Sequence, residues 1–141
     1  MTTTPILPEW PTRTIAVLAT TADGPHAIPV SAPVRAGDDR ILLSLHRTRD
    51  SLSRVRAQPR VALVVLAEGD VAFTARGRAR IVAEPLAVDP DYLAVAIDVE
   101  HVDDHRQEAF LVEAGVDRRW IDEGERDGLG RRVRALAQLA A

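Results

Sequence analysis

With 141 residues, of which 46% are hydrophobic and 4% aromatic, the chain has the length of one domain with a core of mainly aliphatic side chains. It has no cysteine, which excludes disulfides, thiolate metal sites and a cysteine nucleophile. No stretch approaches the roughly 20 apolar residues of a membrane span. The first residues lack the basic flank and apolar run of a signal peptide. We therefore expect a cytoplasmic protein that does not bind membranes.

The charge of the chain is unevenly distributed. All 18 basic residues are arginine, a usage typical of GC-rich genomes. Between Arg35 and Arg60, seven arginines oppose three aspartates (7 − 3 = +4), whereas between Glu84 and Asp127 fourteen acids oppose four arginines (4 − 14 = −10). This asymmetry argues against nucleic-acid binding, which needs a broad basic face. A basic pocket for a small anion remains compatible with it.

Six or seven short strands are predicted from alternating or continuously apolar runs separated by Gly, Pro and Asp turn signals. They are residues 14–20, 26–34, 41–46, 61–66, 71–82, 92–102 and 110–120. The last is predicted to pair with the strand before it. Short strands at this spacing are typical of an antiparallel β-barrel, so the predicted fold is mainly β.

The second predicted strand contains two prolines. Pro29 and Pro33 lie beside Ser31, and proline has no N–H to donate to a neighbouring strand. We therefore expect one side of this strand to be free for something other than a strand.

Two helices are predicted. The first follows His46, with Thr48 or Asp50 as its N-cap, and ends before Pro59 because the residue before proline is driven out of the helical region. The second covers residues 122–140, starting at a capping-box pattern. Its apolar stripe consists of Leu129, Val133, Leu136 and Ala140. Together with a proline-rich N-terminal arm over residues 1–12, these elements make a single domain spanning 1–141.

The segment from Ser44 to Arg56 concentrates groups that can hold a phosphate. A helix N-terminus offers unpaired N–H groups and about half a positive charge. Here Thr48, Arg49 and Ser51 occupy its entry turn, where one phosphate would meet two hydroxyls and a guanidinium. The residues alone leave two readings open, an anion site and a solvated basic helix.

Other candidate residues also allow two readings. The side chains of Arg76, Arg78 and Arg80 share one strand face, which is either solvated or directs one arginine into a ligand groove. Trp120 is either a core or interface aromatic or part of a wall that stacks on a cofactor ring. His101 and His105 would lie about 13 Å apart on a strand at about 3.3 Å per residue, too far to share a metal. We therefore expect no metal site.

The order of these pieces resembles a known family. It is carried by VLATTADGPHAIPV, a hairpin, LSLHRTRDSLSRVRAQPRVALVV, FTARGRARIV and the closing Arg118-Arg119-Trp120. This ordered set, over about residues 13–122, resembles the pyridoxamine 5′-phosphate oxidase-like flavin-binding split β-barrels. The resemblance implies a split barrel and a homodimer with two flavin sites at the interface.

The resemblance also implies positions for the cofactor contacts. Pro29, Val30 and Ser31 would lie along the isoalloxazine and ribityl chain, and Ser44, Leu45 and His46 would lead to the phosphate. Its binding turn would be Arg49, Asp50 and Ser51, with Trp120 and Arg118 approaching from the closing strand, in the same or the partner subunit. The family often has Ser, Arg and Lys in this turn, and an aspartate there opposes a dianion.

A function follows as an expectation from the resemblance. We expect an oxidoreductase that uses FMN, or alternatively the deazaflavin F420, on a small-molecule substrate, with the cofactor supplying the redox chemistry and no dedicated acid–base residue. The substrate-binding residues of a true pyridoxamine phosphate oxidase are not recognisable in the chain. The alternatives are a non-catalytic flavin-binding or sensing module and a dimeric scaffold whose site has decayed.

Overall fold

The structure is a computed structural model that describes residues 5–141. It contains seven strands and two helices: β1 Ile15–Thr20, β2 His26–Ser31, β3 Val34–Arg35, β4 Arg40–His46, α1 Asp50–Ala57, β5 Arg60–Ala67, β6 Val71–Ala83, β7 Tyr92–Asp104 and α2 Glu123–Ala140. All strand pairs are antiparallel, and one curled sheet has the order β2-β1-β5-β6-β7-β4-β3. The mainly β, split-barrel prediction with an inter-strand helix and a C-terminal helix is confirmed.

The core of the barrel consists of the inward-facing residues that strand alternation predicts. Leu63 and Val65 of β5, Phe73 of β6 and Ile97 of β7 are almost completely buried. Helix α1 adds Leu52 and closes over this cluster. The apolar periodicity of the strands therefore builds the inside of the barrel, while their other faces remain for ligands or covering segments.

The outer face of β4 and β7 is covered by α2. Leu136 of the predicted apolar stripe is buried in a second cluster with Leu42, Leu86, Ala94 and Ala96. The small side chains of β7 let the helix approach the sheet closely. Helix α2 begins as predicted at Asp122, whose Oδ1 accepts a hydrogen bond from the backbone N–H of Glu125 at 3.0 Å.

The barrel is split beside β2, because this strand pairs with β1 alone among the described strands. The backbone N–H of Ala32 donates to the carbonyl of Thr14 on the β1 side at 2.8 Å. Residues of an antiparallel strand alternate in the side to which they donate, so Pro29 lies at a position facing the free edge, where proline removes the donor. The prediction that this strand has a free side is confirmed.

The strand predicted over residues 26–34 is divided in two. Ala32 adopts a left-handed conformation with φ 51°, which ends β2 and turns the chain across the split. The short β3 that follows pairs with β4 at the other edge of the sheet. One predicted strand thus contributes to both edges, and β2 lies beside β4 without pairing to it.

The predicted strand over residues 110–120 is wrong. Strand β7 pairs with β6 along residues 94–104 and with β4 only along residues 92–98, and residues 110–120 form no ladder with the edge that remains. Residues 105–122 instead run without regular strand or helix structure, apart from an isolated bridge between Gln107 and Phe110. They are held to the β5–β6 turn by two hydrogen bonds between Asp70 and Val112, at 2.9 and 3.0 Å.

The N-cap predicted for α1 is also wrong. Arg49 occupies the cap position with extended backbone and no side-chain cap bond. The side chain of Thr48 does not cap the helix, because the Oγ1 of Thr48 lies 2.8 Å from the Nδ1 of His46. Asp50 is the first helical residue and bonds to side chains on the helix surface. The first turn of α1 therefore keeps N–H groups that no side chain of its own caps.

The N-terminal arm was predicted over residues 1–12, of which residues 1–4 lie outside the described part. Leu7 is buried, and its N–H donates to the carbonyl of Asp38 at 2.7 Å. Trp10 donates from Nε1 to the carbonyl of Pro33 at 2.8 Å and packs against Phe73. The described part of the arm is therefore docked on the barrel. Within residues 5–141, neither helix is long and apolar enough to cross a membrane.

Gly77 marks a bulge at the closest backbone approach of β6 to β7. A Cβ placed on Gly77 would lie 2.0 Å from the carbonyl oxygen of Asp98, so Gly77→Ala must push two paired strands apart. We expect a loss of about 3 kcal/mol in unfolding free energy, the upper end of overpacking costs. Urea unfolding measures it. As a control, Gly130→Ala in α2 should be neutral or stabilise by up to about 1 kcal/mol; equal effects of the two would contradict this account.

Candidate functional site

A small cavity lies in the split of the barrel, between β2 and β4, and we call it the seam cavity. Its volume is about 110 Å³. The strands, the entry to α1 and the covering helix α2 all contribute to its wall. The lining residues are Pro29, Val30, Ser31, Ser44, Leu45, His46, Arg49, Tyr92, Leu129 and Arg132.

The structure brings seven of the eleven sequence-predicted site residues together around this cavity. They come from two segments far apart in sequence, the end of β2 and the end of β4 with the turn that follows. The seven are Pro29, Val30, Ser31, Ser44, Leu45, His46 and Arg49. The other four are Asp50, Ser51, Arg118 and Trp120. The structure thus brings the first seven residues together around one cavity. That they bind a cofactor remains a prediction.

Arg49 supplies a positive charge at the entry to α1. The described residues form no ion pair and no side-chain hydrogen bond with it, unlike the other arginine of the turn, Arg47, which is paired with Asp91 at 3.1 Å. Arg49 lies where the uncapped N-terminus of α1 adds its own partial positive charge. This end of the seam cavity is suited to an anion.

Ser51 contributes a hydroxyl that lacks a partner. Its side chain is buried, with 1% exposure, and its Oγ makes no hydrogen bond within the described part of the chain. An unsatisfied buried hydroxyl costs about 1–3 kcal/mol, so such a group is unusual in a folded protein. A phosphate oxygen at the start of α1 would satisfy it.

The negative charge of Asp50 is paired within the protein, so this residue does not face a bound anion as a free charge. Its Oδ2 accepts a hydrogen bond from Arg54 Nε at 2.6 Å, and its Oδ1 accepts one from Ser53 at 3.2 Å. The hydrogen bond from Arg54 holds the pKa of Asp50 below its usual range. The carboxylate is therefore ionised at neutral pH, and its charge is offset by a neighbour one helical turn away.

Arg118 and Trp120 reach the site along the outer face of the sheet. Arg118 Nη1 donates to Ser31 Oγ at 3.0 Å, and its guanidinium lies 5.1 Å from the centre of the Trp120 ring. The segment carrying them lies close against β5 at Gly115, where a Cβ would come within 2.3 Å of the Leu66 carbonyl oxygen. Within one subunit, Arg118 therefore touches a residue of the seam cavity, and Trp120, which is 37% exposed, lies beside it.

Three residues of the seam cavity were missed by sequence reasoning: Tyr92, Leu129 and Arg132. Tyr92 pairs with His46 across β4 and β7, with the two rings edge to face at 5.1 Å. Arg132 lies three residues after Leu129 and four before Leu136, so it interrupts the apolar stripe of α2. A charged residue on the buried face of a helix was the available signal.

The arginines of β6 form a solvated, ion-paired face, one of the two readings of the sequence. Arg76 pairs with Asp103 and Arg80 with Asp98, each through two hydrogen bonds of 2.7–3.3 Å. These contacts raise the pKa of both arginines. Arg76 also lines an outer depression of about 460 Å³. The second interpretation, an arginine directed into a ligand groove, therefore stays open for this residue.

A wide depression of about 760 Å³ lies between residues 5–9, the start of β6 and the end of β7. It contains none of the predicted site residues. Five acidic residues and one arginine line it: Glu9, Asp70, Glu100, Asp103, Asp104 and Arg106. That excess of negative charge is unsuited to a phosphate, so size alone does not identify the anion site.

The fold and the seam cavity define a split β-barrel with a cationic pocket at its open seam. Residues 5–111 match the family model described as pyridoxamine 5′-phosphate oxidase. Because this match spans more than half of the chain, the protein belongs to the pyridoxamine 5′-phosphate oxidase family. No curated protein matches the chain.

Solved structures share the fold at low sequence identity. General stress protein 26 from Bacillus anthracis str. Sterne has a TM-score of 0.54 and 17% identity, over 64% of this chain and 82% of that one. A FAD-binding protein from Mesorhizobium loti has a TM-score of 0.52 and 19% identity, over 63% and 83%. A structure named F420 reductase has a TM-score of 0.56 and 15% identity, over 66% and 91%.

The ion pair of Asp50 leads to a prediction about charge at the start of α1. Asp50→Asn removes one negative charge and frees Arg54, so affinity for FMN should rise about two- to fivefold, as expected for an exposed charge. Isothermal titration at low salt measures it. Asp103→Asn, which removes the ion-pair partner of Arg76 at a residue that does not line the seam cavity, should leave the affinity unchanged. Weaker binding by Asp50→Asn would show that the carboxylate supports the site.

Proposed function

We propose that the protein is a flavin- or deazaflavin-dependent oxidoreductase that holds the phosphate of its cofactor in the seam cavity. FMN is the proposed cofactor, with F420 as the alternative, and the substrate is a small molecule. Family membership and the fold shared with a FAD-binding protein and an F420 reductase support this class. The observation that carries the proposal is Arg49, which lines the seam cavity at the uncapped start of α1, with the orphaned hydroxyl of Ser51 two residues further along the same turn.

The residues present fit the phosphate of such a cofactor. Arg49 would supply a charge-assisted hydrogen bond, Ser51 a hydroxyl donor, and α1 its backbone N–H groups. The seam cavity, at about 110 Å³, is smaller than the roughly 150 Å³ of an enclosed cavity that holds one benzene ring, so it suits a phosphate better than the whole of a three-ring system. The ring system of the cofactor would therefore extend outside it.

The cofactor, when bound, supplies the hydride chemistry. The chain's own residues bind it, orient it and shield it from water. The edge of β2 at Pro29 and Ser31 has no strand partner and is free to lie along the cofactor, with Arg118 and Trp120 beside it. No dedicated acid or base is needed for hydride transfer.

A homodimer is part of the proposal. Large apolar side chains remain exposed on the outer face of the sheet and on the segment that covers it, and Ile121 is 96% exposed. Apolar side chains concentrated in this way are typical of protein interfaces. They are Val17, Leu66, Phe110, Leu111, Val116, Trp120 and Ile121. A second copy of the chain would cover them next to Arg118.

Two alternatives share the fold and differ in chemistry. A flavin-binding or sensing module would bind the cofactor without turnover, and a dimeric scaffold would not bind it. A yellow purified protein with the absorption of oxidised flavin excludes the scaffold. Transfer of hydride from the reduced cofactor to added electron acceptors then separates the enzyme from the binding module.

Titration with FMN and with F420 tests the cofactor. A ligand of the native state at 100 times its Kd stabilises the protein by about 2.7 kcal/mol, which should raise the Tm by several degrees. Differential scanning fluorimetry measures the shift, and sedimentation of the same samples gives the oligomeric state. If neither cofactor moves the Tm at saturating concentration, the proposed function fails.

Arg49→Ala tests the phosphate contact. A charge-assisted hydrogen bond contributes about 1.5–3 kcal/mol, so affinity for FMN should fall at least about tenfold, while affinity for riboflavin, which has no phosphate, should not change. Fluorescence quenching of the flavin measures both. Arg56→Ala is the matched control, because Arg56 lies on the same helix, paired with Glu84. An unchanged FMN affinity in Arg49→Ala would remove Arg49 from the site.

A further inference from the structure

Arg132 of α2 is a buried guanidinium with incomplete hydrogen bonding. Its exposure is 7%, and its Nη1 donates to Asp89 Oδ2 at 3.1 Å. Its guanidinium carbon lies 3.7 Å from the centre of the Tyr92 ring, a distance at which the ring attracts a cation. Its Nε is buried and has no acceptor anywhere in residues 5–141. The charge is thus held firmly in place while one of its N–H donors is left free.

Such an arrangement is costly unless a further partner is present. Removing a cation from water requires both paired charge and satisfied donors, and an unsatisfied buried donor costs about 1–3 kcal/mol. Apolar side chains at this position would complete the stripe of Leu129 and Leu136 without that cost. The requirement for an arginine here is therefore not explained by docking of the helix alone.

Arg132 and Arg49 line the same seam cavity from different elements. The charge of Arg132 is paired with Asp89 at 3.1 Å, whereas Arg49 has no acidic partner among the described residues and no carboxylate lines the cavity, so the cavity carries an excess of positive charge. Ser44 and His46 add further polar side chains to the lining. A dianion of the size of a phosphate would satisfy both the charge and the free Nε–H, and about 110 Å³ is the space of three to four waters at about 30 Å³ each.

We propose that Arg132 is a second cationic ligand of the phosphate, so that α2 forms one wall of the phosphate site. The inference rests on the proposed function in taking that phosphate from a flavin. The chemistry it requires is a phosphate monoester, which a cofactor or a phosphorylated substrate can bring. Leu129 and Arg132 close the cavity over the anion.

Binding and docking of α2 are then linked. The anion binds most tightly to the form in which Arg132 is seated, so it stabilises the docked helix, and the docked helix strengthens binding by the same factor. Loss of Arg132 leaves the helix attached, because Leu136 is separately buried among Leu42, Leu86, Ala94 and Ala96. A substitution at Arg132 therefore leaves the helix docked, although it also removes the contacts with Asp89 and Tyr92, so an effect on the anion is distinguished from one on stability by the riboflavin control.

The test uses the full chain with Arg132→Met, which keeps the length of the apolar stem and removes the charge. Arg134→Met is the matched control, two residues further along α2 and exposed. Arg132→Lys, which keeps the charge and loses the planar fork, replaces Arg132→Met if that variant does not fold. Kd values are measured for FMN, for riboflavin, and for inorganic phosphate as a competitor.

Arg132→Met should weaken FMN binding about tenfold or more, the effect of losing a charge-assisted contact, and leave riboflavin unchanged, with Arg134→Met the same as wild type. FMN, but not riboflavin, should slow hydrogen exchange of the α2 amides in wild type and not in Arg132→Met. Equal weakening of FMN and riboflavin would show a merely structural residue and overturn the proposal. So would an unchanged FMN affinity.

Inorganic phosphate separates this inference from the proposed function. If neither flavin nor F420 binds, but phosphate raises the Tm of wild type and not of Arg132→Met, the proposed function fails and Arg132 keeps its role for a phosphorylated substrate. If phosphate leaves the Tm of wild type unchanged as well, the proposed role of Arg132 is overturned too. A phosphate effect of equal size in wild type and Arg132→Met indicates an adventitious ion only, and it also overturns the role.

Discussion

The free edge of β2 is the constraint on which the rest of the molecule depends. Proline at position 29 removes the N–H that would face β4, and the left-handed turn at Ala32 carries the chain across to the opposite edge of the sheet. The barrel therefore cannot close by hydrogen bonding at this place. An unpaired edge would attract another strand, and here α2 and the segment of residues 105–122 lie nearby instead. The seam cavity is a direct product of this incomplete closure.

Arginine side chains are paired with acidic residues to different extents on the two sides of the barrel. Along β6 and β7, arginine and aspartate side chains pair across strands in water, where such pairs contribute little to stability. At the seam, Arg49 has no such partner and Arg132 has an incomplete set. In a chain whose basic residues are all arginine, the number of arginines is uninformative, and the unmet hydrogen-bonding capacity of particular side chains is what supports the proposed site.

Much of the fold could be predicted, because strand alternation and turn residues are local signals. The resemblance placed the β2 and β4 residues that meet at the seam cavity, and the i,i+4 pair of Asp50 and Arg54 was also readable from spacing. The strand over 110–120 failed because pairing is a property of the whole sheet, and this segment is bonded to the β5–β6 turn at Asp70 instead of running along β7. Arg132 was missed because the buried face of α2 was predicted from its apolar residues, and a charged residue within that face gives no apolar signal. Its contacts with Asp89 and Tyr92 depend on how α2 packs on the sheet.

Helix α2 follows the part of the chain that matches the family model, residues 5–111, yet it supplies two residues to the wall of the seam cavity. The barrel that matches the family model and the helix that forms part of the wall of the seam cavity are therefore contributed by different stretches of the chain. Related barrels that end before such a helix would present the same seam as an open trough, accessible to longer phosphate-bearing molecules. Exchange of the C-terminal extension, with the barrel unchanged, offers this family a simple route to altered ligand size.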